Sequence, residues 1–383
     1  LRGSIYEANE YVTKEAAMEY ITDQVVFTPM NMDKESGARR KREFAEDVLA
    51  NDLFPHCNTH EERTYFLGYM ALRLLRAFLG LDSADDRDSY LNKRLDLTGT
   101  LLNNLFRNYF NKLVKDMQKQ IVREINGGSW RSTEDYANIV NFTNVYKVVK
   151  STTMENGLKR ALSTGDFGIK HCANSSKVGV AQVLKRLTYL DSLSHLRRVN
   201  TPIDKSGKLI PPRKLHGTSW GYICPAETPE GGSVGVVKNL SYMTHVTIPC
   251  SSSAARDYVG PHIVTLENST PQSLHKGVKV FINGAWIGNA TDPANLYADL
   301  KEKKAKGIIN IYTSIIFDIR RLEIRICGDA GRITRPLLRV RDNKLIINGW
   351  HIQELKNGHL SWDDLLTDCR IPESVIEYVD PAE

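Results

Sequence analysis

The chain has 383 residues and a formal net charge of +6. Its hydrophobic fraction of 41% and charged fraction of 25% are those of an ordinary folded chain, long enough for two to four domains at ~100–200 residues each, and no run approaches the ~20 apolar residues of a membrane-spanning helix. The six cysteines are scattered with no Cys-x-x-Cys pair, which argues against a zinc site made by this chain alone and against a disulfide scaffold, and fits a reducing compartment.

Leu1-Arg2-Gly3-Ser4 resembles neither a signal nor a transit peptide, and the chain is expected to be an internal piece of a longer one. The first third reads as helical. Residues 39–54 carry Phe44, Val48 and Leu49 at helical spacing and stop before Pro55. Residues 65–79 are apolar on almost every side, the pattern of a buried helix. Leu101, Leu105, Tyr109 and Leu113, widened by Leu102, Phe106, Phe110 and Met117, make the clearest amphipathic helix, closed by Gly127-Gly128. Shorter helices are expected at 137–149 and 154–162.

Next, Val180, Val183, Leu184 and Leu187 make one helical face, which leaves Gln182, Lys185 and Arg186 pointing away from the core. Residues 197–208 read as a loop or hairpin tip around Asp204-Lys205-Ser206-Gly207, and 220–240 are rich in turns. The last third reads as β with one helix. Asn283-Gly284 between two apolar runs suits a type I′ hairpin. Thr291 and Pro293 open a helix faced by Leu296 and Leu300 and closed by Gly307. Leu322, Ile324 and Ile326 alternate as in a half-buried strand.

The charge is clustered. From Lys170 to His216 ten lysines and arginines face only Asp191 and Asp204, a local excess of eight that is larger than the whole chain's +6. Arg197, Arg198, Lys205 and Lys208 surround the expected loop, where cations bond phosphates without reading base sequence. Glu227 and Glu230 invite an acid–base or metal role, although the Pro225 and Pro229 frame suggests a rigid turn. Asp85, Asp86 and Asp88 are close enough to suggest a metal, but Arg87, Lys93 and Arg94 stand alongside to pair with them.

The block from Gly179 through Tyr189-Leu-Asp-Ser-Leu-Ser-His-Leu-Arg-Arg-Val-Asn-Thr-Pro-Ile203, followed by Lys214-Leu-His-Gly-Thr-Ser-Trp-Gly-Tyr-Ile-Cys-Pro-Ala-Glu-Thr-Pro-Glu-Gly231 and Lys238-Asn239-Leu240, resembles the second-largest subunit of multisubunit DNA-dependent RNA polymerases, of the eukaryotic nuclear or large-DNA-virus kind. Asp85–Gly99, Phe66-Leu-Gly-Tyr-Met70, Val280–Gly288, Asp329–Leu337 and Glu377-Tyr-Val-Asp380 resemble further blocks of that family. Asp166-Phe167-Gly168 departs from the family's usual Asn-Trp-Gly, and residues 127–144 are longer than expected. The Arg197-Arg198-x-Asn-Thr-Pro loop favours the messenger-RNA-type enzyme over its paralogues.

The resemblance implies a multidomain α+β fold: the C-terminal part of a lobe at 1–95, the second part of a protrusion at 96–165, a fork at 166–250, a β-rich external domain at 251–340 and the start of a second one at 341–383. It implies nucleic-acid contacts for Gln182, Lys185, Arg186, His195, Arg197, Arg198, Lys205, Lys208 and Arg213, with Lys93 and Arg94 behind them, and places Glu227 near the nucleotide-addition site. Arg332 and Arg335 read as strand-flanking charges in an external, partner-facing module. No catalytic or metal-binding residue is expected in this chain. The two Mg2+ ions of nucleotidyl transfer are expected mainly on the largest subunit. Expected partners are template DNA, the RNA–DNA hybrid, the largest subunit and smaller subunits, with no membrane. The expected location is the nucleus for a cellular enzyme, or the host cell or virion for a viral one. Two other classes stay open: a stand-alone basic nucleic-acid-binding module, and a metal enzyme built on Asp85, Asp86 and Asp88.

Overall fold

The computed structural model describes residues 2–26, 33–127, 145–168, 177–203, 207, 209–366 and 371–383. It is a mixed α+β structure that divides into two compact units. The first comprises Leu1–Asp85, Pro249–Asp329 and Leu337–Glu383, and the second Asp86–Ile248 with Ala330–Pro336.

The first unit is organised by a five-stranded sheet. Its strands run in the spatial order Ile263–Thr265, Ala285–Ala290, Lys279–Ile282, Glu323–Cys327, Ser314–Asp318. Asn283 and Gly284 both have positive φ, 49° and 86°, so the hairpin forms with the expected turn chemistry. The helix Pro293–Ala305 lays Leu296 and Leu300 against Val280, Ile315, Ile324 and Ile326. It is capped by the Asp292 side chain, which accepts the Asn295 N–H at 3.2 Å, rather than by the expected Thr291. Leu322 is not in the adjacent strand. It turns the chain at φ 53° and stays exposed.

The helix His60–Phe78 begins at a Thr59 cap. Tyr65, Phe66 and Tyr69 pack against Leu266, Leu274, Phe281 and Trp286. The opposite side, with Leu67, Met70, Leu74 and Phe78, is exposed. The expectation of a buried helix is therefore corrected: within this chain it is buried on one face only, because its unit supplies a single layer to pack on.

In the second unit the long helix Thr98–Gly127 packs through Leu101, Leu105 and Tyr109 on Leu158, Ala161 and Phe167, with Thr152–Thr164 as its partner helix. A Cβ on Gly157 would stand 2.3 Å from the Tyr109 ring, so glycine there sets how closely the two helices approach. Phe106 and Phe110 stack at 6.0 Å but remain exposed. Of the helix expected at 137–149, residues 145–149 are described, and Val145–Val148 is helical. A second core joins Tyr90, Tyr222, Ile223 and Ile333. Ile333 reaches it because Ile333–Leu338 pairs antiparallel with His245–Val246.

The helix expected across Val180–Leu187 does not form. The chain there is irregular, Gly179 has φ 77°, and Val183 and Leu187 are 93% and 84% exposed. β-branched Val180 and Val183 are weak helix formers, and side chains satisfy the local backbone instead of an i→i−4 ladder. The helix starts later, at Tyr189–Leu196, where the Thr188 hydroxyl caps the Asp191 N–H at 3.1 Å. Gln182, Lys185 and Arg186 therefore stand on an irregular shelf and not on the outer face of a helix.

Candidate nucleic-acid interface

The shelf is fastened to the helix behind it. His195 Nδ1 accepts the Lys185 N–H at 3.2 Å, so Nε2 carries the proton that it donates to Gln182 Oε1 at 3.0 Å. Ser192 Oγ donates to the Lys185 carbonyl at 2.7 Å, and Gln182 Nε2 donates to the Gly179 carbonyl at 2.8 Å. His195 and Gln182 thus use these atoms to hold the shelf. Lys185 and Arg186 are exposed, and their side chains have no ion pair or hydrogen bond among the described residues.

Arg197 ends the helix, and one of its Nη atoms donates to the carbonyls of Ser241, Tyr242 and Thr244 at 2.7, 3.2 and 2.9 Å. That atom ties the helix end to the turn 241–244. Arg198 opens the strand Arg198–Asn200, which pairs antiparallel with Val237–Asn239. Arg198 Nε is buried without an acceptor among the described residues. Arg213 donates to the carbonyls of Gly232 and Val234 at 2.7 and 2.9 Å and to Gly207 at 3.3 Å, bracing the glycine-rich turn from 231 to 235. Lys205 and Lys208 lie outside the described residues.

Glu227 accepts a hydrogen bond from Ser194 Oγ, and its carbonyl accepts the Asn239 side chain at 3.2 Å. Ser194 and buried Asn239 therefore join the helix, the strand and the Pro225–Pro229 turn at one point. Sequence reasoning passed over both. Their only signal was position, a small hydroxyl and an amide among apolar neighbours inside the matched blocks.

The aspartates do not converge. Asp85 pairs with Arg73 and Arg321, Asp86 with His216 at 2.7 Å, and Asp88 with Lys93 at 3.9 Å. The Asp88 backbone N–H, then His216, hold the Asp86 carboxyl below the usual carboxylate range. His216 also meets Thr218 Oγ1, which accepts the Tyr90 N–H at 2.9 Å. These groups stitch 86–90 to 216–218 and do not fit a divalent metal. Arg94 donates to the carbonyls of Leu91 and Lys93. Lys93 also lies 5.1 Å above the Tyr90 ring.

Arg332 and Arg335 are corrected as well. Arg332 is 3% exposed and Arg335 covers the Tyr222 ring at 5.3 Å. Both belong to the unit of Asp86–Ile248 with Ala330–Pro336: Arg332 precedes the strand Ile333–Leu338, and Arg335 lies within it, half-buried.

Three family models match in order along the chain: RNA polymerase Rpb2 domain 2 at residues 1–96, domain 3 at 182–246 and domain 4 at 280–341. The chain is 39% identical to the DNA-directed RNA polymerase II subunit RPB2 of Encephalitozoon cuniculi and 36% to that of Schizosaccharomyces pombe, in each case over all of this chain and 32% of the relative. It is 34% identical to DNA-directed RNA polymerase subunit 2 of Acanthamoeba polyphaga mimivirus, over 97% of this chain and 31% of the relative. The chain spans about a third of the length of these curated relatives.

Proposed function

The chain belongs to the Rpb2 family of second-largest DNA-directed RNA polymerase subunits, and from that premise we propose that it forms part of the cleft that holds template DNA and the RNA–DNA hybrid and helps keep the strands apart. The observation that carries this reading is the run of three consecutive Rpb2 domains in family order along one chain. Lys185 and Arg186 support it, as unpaired cations on a shelf whose backbone is fixed by His195 and Ser192. Such cations neutralise phosphates on any template.

The reaction is nucleotidyl transfer: the RNA 3′-hydroxyl attacks the α-phosphorus of an incoming nucleoside triphosphate, the bond to the β-phosphate breaks and pyrophosphate leaves, and Mg2+ bound in the assembled enzyme would neutralise the developing charge. The metal belongs to the largest subunit in this proposal, since Asp85, Asp86 and Asp88 each serve a separate ion pair. This chain positions nucleic acid, and alone it makes no RNA. Glu227 acts as a latch on Ser194 beside the cleft. The partners are the largest subunit and the smaller subunits, in the nucleus of a cell or in the host cell or virion of a large DNA virus.

The test uses the complete polymerase with Lys185→Ala and Arg186→Ala combined. Elongation is measured on duplex DNA and on a pre-melted template. A defect on duplex that largely disappears on the melted template is expected. Equal rates on both templates would overturn the assignment of these residues to strand separation.

A further inference from the structure

The second unit carries a basic surface away from the motifs discussed so far. On the helix Thr98–Gly127, Lys112, Lys115, Lys119 and Arg123 are all exposed. At about 100° per residue they fall within an arc of about 80°, so they form one stripe. None has a hydrogen bond or ion pair among the described residues. Other helix cations do find acids, as Arg42 does with Glu46 and Lys159 with Glu155. Asp116 borders the stripe, half-buried and unpaired with it. The stripe runs toward a cleft of about 410 Å³ lined by Asn104, Asn108, Asn111, Arg107, Phe167 and Lys177. Its three amides are neutral hydrogen-bonding groups on the same helix.

We propose that this helix face is a second track for a nucleic-acid backbone, running from the amide-lined cleft to Arg123. Lys112 to Arg123 is about 16 Å at 1.5 Å per residue, or roughly five phosphates of one strand at ~3.4 Å of axial rise each. A line of unpaired cations continued by amides suits a charged polymer, whose phosphates take the cations and whose sugars and phosphates take the amides. The preference for nucleic acid over an acidic protein segment rests on the polymerase reading. The stripe itself does not.

The test is salt-dependent binding of a fluorescent single-stranded oligonucleotide to the full chain. A variant with Lys112, Lys115, Lys119 and Arg123 all replaced by glutamine keeps good helix formers at exposed positions, and its melting curve should match the wild type. Its log–log salt slope should be smaller by about 2–3, as expected for four lost cations at ~0.7 each on a single strand. A Lys185→Ala, Arg186→Ala variant is measured in parallel. If that variant loses slope and the glutamine variant does not, the polymerase reading stands and the second track is wrong. A wild-type chain that fails to bind the oligonucleotide at low salt also overturns the track. So does competition by polyglutamate as effective as competition by oligonucleotide at equal charge, which would assign the stripe to an acidic protein.

Discussion

His195 Nδ1 accepts the backbone N–H of Lys185 at 3.2 Å, across ten residues of chain. That bond fixes both the histidine tautomer and the place from which Lys185 projects. His195→Ala removes it together with the Gln182 contact. The Lys185 amide should then exchange its hydrogen roughly tenfold faster, the effect of about 1.4 kcal/mol of lost net hydrogen bonding. Amide exchange on the purified chain reads this directly. Unchanged exchange would mean that the shelf is held by Ser192 alone.

Arg197 separates a phosphate-binding cation from a structural one. Its bonds to the carbonyls of Ser241, Tyr242 and Thr244 come from a single guanidinium nitrogen. Arg197→Ala should cost about 2–3 kcal/mol, from the loss of charge-assisted hydrogen bonds. Arg197→Lys should recover little of it, because an ammonium on a different stem does not reproduce the guanidinium geometry. Thermal unfolding checks this. Full recovery of stability with lysine would make charge, not geometry, the quantity that matters.

Two neighbouring glycines should differ sharply. Gly231 and Gly235 both have positive φ, 77° and 68°. A Cβ on Gly231 meets nothing within 4 Å, whereas on Gly235 it would lie 2.2 Å from the Arg213 carbonyl oxygen. Gly231→Ala should therefore cost only the left-handed backbone penalty, about 1–2 kcal/mol. Gly235→Ala should cost clearly more, since the backbone around Arg213 must move. Urea midpoints of the two variants rank them.

Alkaline stability depends on Tyr69. Burial first, then its hydrogen bond to Glu323, pushes its hydroxyl from 10.0 up to about 12. A raised folded value means stabilisation that is present below pH 10 and lost as pH rises through about 12. Two units correspond to about 2–3 kcal/mol at ~1.4 each. In Tyr69→Phe the loss of stability between pH 10 and 12 should be shallower, although buried Glu323 loses its phenolic donor and the protein is weaker at neutral pH. An alkaline limb identical to the wild type would rule out Tyr69 as its source.

The sequence made local structure legible where a local rule governs it. The hairpin at Asn283-Gly284, the long helix after Thr98 and the helix behind Pro293 all follow from short-range chemistry. It failed where tertiary partners decide. Val180, Val183, Leu184 and Leu187 carry a helical pattern, but Gln182, Ser192 and His195 hold that backbone otherwise. The face of His60–Phe78 that lacks a partner looks, in one dimension, the same as a covered one. Among the candidate site residues, charge alone could not tell Lys185 and Arg186 from Arg197 and Arg213, because carbonyl acceptors such as those of Ser241 and Val234 leave no trace in a charge pattern.

The strand Ile333–Leu338 has a consequence for the order of assembly. Gly331 accepts the Leu95 N–H at 2.8 Å and donates to Thr247 at 2.9 Å, and Ile333 fills the core with Tyr90 and Tyr222. The ribosome makes all of Pro249–Asp329 before that strand appears, a delay of about 4–16 s at ~5–20 residues per second. Throughout that time the second unit is short of one wall, with His245–Val246 lacking its strand partner and Tyr222 and Ile223 short of a neighbour. The nascent chain should need a chaperone, or a partner that occupies the gap, in this interval.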